Sequence, residues 1–261
     1  MKVCIVQHKS TLDKKYNLAY LKTAVINAKK KGCDLIVFPE LFLTGYLLKE
    51  NAKNVAETVS GNSVKELRKI CKENDIVCIC GFARKDKSKV FNSACIVDKN
   101  GELAGFYDKT HLFADEKSYF AKGNRLKVFD TSVGKIGVLI CYDLEFPEPS
   151  RILASNGADV ICCIAANMKP YDKLHKTFIK NRAIENGIPV VYCNYVGKDE
   201  DFVYVGESNV VDVDGKYKFK SSKKSKLFYA KLDKTRIADD NMNYLKNRRV
   251  DLYRNSLSAK I

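Results

Sequence analysis

Short, nearly continuous apolar runs recur along this chain, and they constrain its fold more than any other feature. Leu35-Ile36-Val37-Phe38, Ile76 to Phe82, Ile136 to Ile140, Val160 to Ala165 and Ile188 to Tyr195 have strand length and little alternation. Such runs fit strands buried on both faces, the pattern of parallel sheets covered by helices. Helical periodicity fills the gaps. Leu18, Leu21, Ala24, Val25 and Ala28 share one face of a helix over Tyr16 to Lys31, which Gly32 ends. Val64, Leu67, Ile70 and Cys71 do the same over Ser63 to Glu73, Pro147 opens a helix to Asn156, and Leu174 to Asn186 forms another. Val3 to Gln7, Asn92 to Val97, Leu103 to Asp108, Ser208 to Val213 and Leu227 to Leu232 complete the strands, with turns at Lys99-Asn100-Gly101 and Asp214-Gly215. The two halves read as similar β-α-β units, so the expected class is α/β with two sheets packed face to face. No linker interrupts the 261 residues, and one domain spans 1–261. From about Asp239 the pattern lapses into a polar tail expected to have no core of its own.

Composition narrows the function. Apolar residues make up 46% of the chain, spread throughout, so a large core can be buried. No apolar run approaches the roughly 20 residues of a membrane helix. The start, Met1 to His8, is too short and polar for a secretory signal, which predicts a soluble cytoplasmic protein. Most of the ten cysteines lie inside apolar runs, among them Cys162 and Cys163, and read as reduced core thiols rather than a disulfide framework. Without a Cys-x-x-Cys pair and with three histidines, no metal site is expected. The net charge of +15 comes from lysines at helix ends and turns, with no interleaved aromatics. It describes a solvated surface, and no nucleic-acid partner is expected.

Three reactive side chains stand at strand ends, where the active-site loops of parallel sheets gather. Glu40 follows Leu35 to Pro39, Lys109 follows Gly105 to Asp108, and Cys141 follows Gly137 to Ile140. A thiolate at Cys141 could be held by neighbouring backbone N–H groups and a lysine charge.

Phe38-Pro39-Glu40-Leu41-Phe42-Leu43-Thr44-Gly45-Tyr46, Tyr107-Asp108-Lys109-Thr110-His111-Leu112-Phe113 and Gly137-Val138-Leu139-Ile140-Cys141-Tyr142-Asp143-Leu144-Glu145-Phe146-Pro147-Glu148 resemble the three signature segments of the nitrilase superfamily, in order and at its approximate spacing. Gly206-Glu207-Ser208 and the Asn243 to Arg249 segment extend the resemblance over nearly the whole chain. The resemblance implies a four-layer α-β-β-α sandwich, a homodimer or larger assembly, and hydrolysis of a small amide without any cofactor. Cys141 would be the nucleophile, Glu40 the general base, and Lys109 with a backbone N–H near Tyr142 the oxyanion stabiliser. A second catalytic glutamate would be Glu116, with Asp115 its neighbouring alternative. Nitrile and N-carbamoyl amine hydrolysis share this site, and a non-catalytic binding subunit is disfavoured because all three residues are intact.

Tyr46, Tyr142 and Glu145 are the candidate substrate contacts. Glu145 lies four residues past the nucleophile, where relatives that take carboxylated substrates often carry arginine. A glutamate there would attract an ammonium group, which suggests an amide with a cationic tail of the 5-aminopentanamide kind, unless Glu145 is spent on a nearby cation.

Overall fold

The apolar runs form the centre of two six-stranded sheets. In the computed structural model, which describes residues 1–46, 48–199, 201–233 and 240–257, the first sheet contains β1 (Lys2–Gln7), β2 (Leu35–Val37), β3 (Val77–Asp86), β4 (Lys89–Val97), β5 (Leu103–Asp108) and β14 (Lys226–Lys231). Its spatial order is β14-β1-β2-β3-β4-β5. The second contains β6 (Val128–Thr131), β7 (Gly134–Ile140), β8 (Val160–Ala165), β9 (Val190–Asn194), β12 (Asn209–Val211) and β13 (Tyr217–Lys220), in the order β13-β12-β9-β8-β7-β6. Each sheet has three parallel central strands, β1-β2-β3 and β7-β8-β9, flanked by antiparallel ones. The hairpin β10 (Val196–Lys198) and β11 (Val203–Val205) stands apart.

Alternation along the strands divides the core into layers. Val3, Ile5, Leu35, Val37, Val77 and Ile79 meet Ile136, Val138, Ile140, Val160, Cys162 and Ile164 between the sheets. The opposite faces carry Cys4, Val6, Ile36 and Cys78 against α1 (Lys14–Lys30) and α3 (Asn62–Asn74). On the far side Leu139, Ile161, Cys163 and Val190 meet α4 (Pro147–Ser155) and α5 (Asp172–Asn186). The expected α-β-β-α sandwich is therefore the observed one. Asp13 caps α1 by accepting the Lys15 and Tyr16 N–H groups, and Gly32 follows the helix at φ +70°.

Elements that differ from expectation are polar or interrupted. β2 stops at Val37, because Pro39 cannot donate to the ladder and the chain turns there to carry Glu40. β6, β13 and the β10–β11 hairpin are short and half exposed, and give no apolar run to detect. A four-residue helix, α2 (Ala52–Val55), was likewise unexpected. The tail expected from Asp239 begins outside the described residues, and its described part leans on the core of the main body. Leu245 packs on the helix-side core, and α6 (Val250–Leu257) follows. No helix of the described residues is long and apolar enough to cross a membrane.

Gly81 is the position on which the site most depends sterically. A Cβ there would lie 2.3 Å from the Leu41 nitrogen and 2.6 Å from the Pro39 oxygen, so only glycine lets the Glu40 turn rest on β3. Gly81→Ala is expected to cost about 1–3 kcal/mol in urea unfolding. It should also depress turnover beyond what the stability loss explains, because the turn it displaces carries Glu40.

Candidate active site

Glu40, Lys109 and Glu116, each singled out in the sequence, are brought together by the fold, which also shows what holds them. Glu40 is fully buried. Its Oε1 accepts Lys109 Nζ at 2.8 Å and Asn92 Nδ2 at 2.7 Å, and its Oε2 accepts the Ala166 N–H at 2.9 Å. Lys109 is equally buried and also meets Glu116, with Nζ 2.8 Å from Oε2 and 3.0 Å from Oε1. Glu116 sits in a 3₁₀ turn, Ala114–Ser118, where its Oε2 accepts the Phe113 N–H at 2.7 Å. Asn92 donates to both carboxylates, the second contact being 3.0 Å to Glu116. Nothing in the sequence marked Asn92, which is one polar residue within a strand. Asp115 makes none of these contacts and lines the cavity described below.

Backbone geometry aims Lys109. Its N–H donates to the Asn92 carbonyl and its carbonyl accepts the Gly123 N–H, both at 2.8 Å. The preceding Asp108 is clamped by Arg84, whose Nε and a terminal nitrogen each donate at 2.8 Å. Cys141 sits at the join of β7 and a 3₁₀ turn, Cys141–Glu145, with φ +47°. A side-chain-bearing residue rarely adopts that conformation, and such strain collects where a reactive group must be aimed. Asp143, fully buried two residues on, ties this turn to the lysine loop. It accepts the His111 N–H at 2.8 Å, the Thr110 N–H at 3.2 Å, the Tyr107 hydroxyl at 2.8 Å and the Ile140 N–H at 3.1 Å. From the other side Arg182 of α5 donates to the Leu144 and Glu145 carbonyls at 3.0 and 2.9 Å.

The electrostatics correct one expectation. Burial, then the Glu40 charge, push the Cys141 thiol well above its ordinary value, while Lys109 and the Ala166 N–H pull it down without prevailing. Burial and the Glu40 charge therefore favour the thiol over a held thiolate, and a base is needed to take its proton. Burial opposes the Lys109 charge, but Glu116 and Glu40 outweigh it and hold the ammonium form well into alkali. Burial raises the Glu40 carboxyl, Lys109 lowers it, Glu116 raises it again, and the balance is upward. A base must be ionised to act, so kcat/KM should rise with pH through a value above the usual carboxylate range. A pH–rate profile whose acid limb falls at the ordinary glutamate position would contradict that balance.

The remaining predicted residues are placed as follows. Tyr46 packs edge-on to Tyr195 and Tyr204, and burial, then Glu40 and Cys141, keep its hydroxyl protonated far above neutral pH. Tyr142 packs against Phe113 and Phe146. Glu145 is 3.3 Å from Nε2 of His175, whose Nδ1 is 2.8 Å from the Tyr192 hydroxyl. A cavity of about 310 Å³ reaches the cluster, lined by Tyr46, Phe113, Glu116, Met168, Tyr171 and Phe202 among others. That is the small end of small-molecule sites, which run to roughly 300–1,000 Å³. Among the described residues no group of acidic, histidine or cysteine side chains is placed to hold a metal ion.

Known proteins carry the same arrangement of chain and fold. The chain is 35% identical over 243 residues to an (R)-stereoselective amidase of Pseudomonas sp., covering 92% of this chain and 88% of that protein. It is 35% identical over 219 residues to a probable nitrilase of Schizosaccharomyces pombe, covering 82% and 80%. The crystal structure of an amidase from Nesterenkonia sp. superposes with a TM-score of 0.88 at 27% identity, over 98% of this chain and 96% of that one. Residues 2–241 match the family described as carbon-nitrogen hydrolase, and that match spans every part of the site just built, so the chain belongs to the carbon-nitrogen hydrolase family of the nitrilase superfamily.

Proposed function

We propose that this chain hydrolyses the C–N bond of a small aliphatic amide to a carboxylate and ammonia through a thioester on Cys141. The observation that carries the reading is the buried Glu40–Lys109–Glu116 array beside a strained cysteine whose thiol needs a base. The Cys141 sulfur attacks the amide carbon as its proton passes to Glu40. Negative charge develops on the carbonyl oxygen, stabilised by Lys109 and the Tyr142 N–H. Collapse breaks the C–N bond, and Glu40 returns the proton to the departing ammonia. Water then attacks the thioester, giving its proton to Glu40, and the thiol leaves with a proton restored. Glu116 keeps Lys109 charged and in place. In a mutant of the Nesterenkonia amidase the acetamide moiety of fluoroacetamide adds covalently to the active-site cysteine, which supports a nucleophilic cysteine at Cys141 here.

A panel of short amides, nitriles and N-carbamoyl compounds, scored for ammonia, carboxylate and carbon dioxide, tests the reading. Amides should lead. Faster carboxylate release from nitriles, or carbon dioxide from N-carbamoyl amines, would move the chain to one of those branches. An amine-bearing amide remains the favoured substrate, with Tyr46 and Tyr142 as candidate contacts and Glu145, already engaged by His175, in second place.

The same reading includes a homodimer or larger assembly. Ile152 of α4, Leu174 of α5, and Val250, Leu252 and Tyr253 of α6 are exposed, a set of apolar side chains suited to a second copy. Sedimentation at equilibrium that returned a monomer at micromolar concentration would remove that support. A reducing, cytoplasmic setting is supported by ten free thiols, nine of them buried.

A further inference from the structure

We propose that Asp201 reads a cationic group at the end of the substrate remote from the scissile bond, and that Lys49 of the same chain occupies that position until substrate displaces it. The proposal rests on the amide-hydrolase reading above and names who recognises the cationic end.

Asp201 and Glu116 line one cavity, so a molecule held by the first extends toward the catalytic cluster. Lys49 lines it too, with its Nζ 3.4 Å from Asp201 Oδ2. The two residues come from distant parts of the chain, a 3₁₀ turn at Lys49–Asn51 and the turn between β10 and β11. A lysine side chain is itself an alkylammonium, so the structure shows that this chemical group fits the cavity mouth. The hydrogen bond and charge of Asp201 keep Lys49 protonated. Both side chains are about half exposed, at 53% and 50%, and exposed pairs of that kind are weak enough to exchange partners. Asp115 on the same wall leaves the carboxylates in excess over the one lysine, and the rings of Phe113, Tyr171 and Phe202 offer faces that also favour a cation.

Backbone strain marks the same place. Lys49 has φ +40°, and Leu41 and Ala114 on the same cavity have φ +52° and +46°. Residues other than glycine hold that conformation where surrounding structure imposes it, and such positions cluster at ligand clamps. Glu145 is placed differently. His175 engages its carboxylate, and it is not part of this cavity's lining.

The test measures kcat/KM for an ω-aminoamide, a neutral amide of equal length and an amide ending in a carboxylate. Wild type, Asp201→Asn, Lys49→Met and Glu145→Gln are compared. The expected result is a preference for the aminoamide that falls about two- to fivefold in Asp201→Asn, mainly through KM, the scale of one exposed ionic contact. In Lys49→Met the preference should rise, and the carboxylated amide should lose further ground. An unchanged preference in Asp201→Asn, or its complete loss in Glu145→Gln alone, overturns the proposal. Calorimetric binding of n-butylamine to wild type and Asp201→Asn decides the point separately from turnover. If no amide releases ammonia, the amide reading fails, yet butylamine binding lost in Asp201→Asn still upholds Asp201 as the cation site. Equal binding to both proteins rejects it.

Discussion

Cys141→Ala is expected to abolish turnover, lowering kcat by roughly four orders of magnitude or more, as loss of a covalent nucleophile does elsewhere. No other thiol can take over. The nine remaining cysteines are buried in the core, and burial pushes Cys162 up to about 12 and Cys95 likewise. The fold should survive, since alanine tolerates φ +47° no worse than cysteine and the lost side chain is small. Cys162→Ala, which removes a thiol from between the sheets, is the matched control and should retain activity. Cys163 is a poorer control than its sequence suggests. Burial, then Asp143 and Glu40, raise its thiol while the Cys141 backbone draws it down, so its truncation falls next to the nucleophile. Mass spectrometry of wild type quenched during turnover should show the acyl group on Cys141. Turnover near wild type in Cys141→Ala would dismiss the covalent mechanism.

Lys109→Ala should lower kcat by about a hundredfold or more while changing KM little, because the oxyanion it serves exists only after attack. The structure adds a second consequence. Without the ammonium, Glu40 and Glu116 share Asn92 with no cation between them. One of two adjacent buried carboxylates must then hold a proton, which disables the base as well. The variant should lose about 3–5 kcal/mol of stability near neutral pH, the scale for an unpaired buried charge. The sign follows from linkage. These carboxyls would have folded pKa values above their unfolded ones, so stability is regained as pH falls and lost as pH rises through them. Wild type has the opposite safeguard, since the Lys109 contribution persists until strongly alkaline pH. A Lys109→Ala protein with unchanged kcat and a higher KM would assign the lysine to substrate binding. Equal stability at pH 5 and pH 8 would reject the paired-carboxylate account.

The division between what could and could not be read beforehand follows from range. Runs such as Leu35 to Phe38 and Val160 to Ala165 determined their strands locally, because a short apolar run can be satisfied only inside a covered sheet. Their alternation with amphipathic helices determined the layered class. The three signature segments determined Glu40, Lys109 and Cys141 as candidates, since each motif is contiguous in the chain, and the spacing after the lysine added Glu116. Edge strands such as Tyr217–Lys220 left no such trace, because half of each faces solvent and pairing alone makes them strands. Tertiary structure alone decided which polar groups meet. Asn92 bridges residues 52 positions before it and 24 after it, and Asp143 joins loops more than 30 residues apart. It also decided that the Cys141 thiol is pushed up, because burial and the Glu40 charge beside it are properties of the assembled cluster. The partners of Glu145 and Asp201 belong to the same category. A carboxylate's local sequence states its charge, whereas His175 and Lys49 reach those two carboxylates only through the fold.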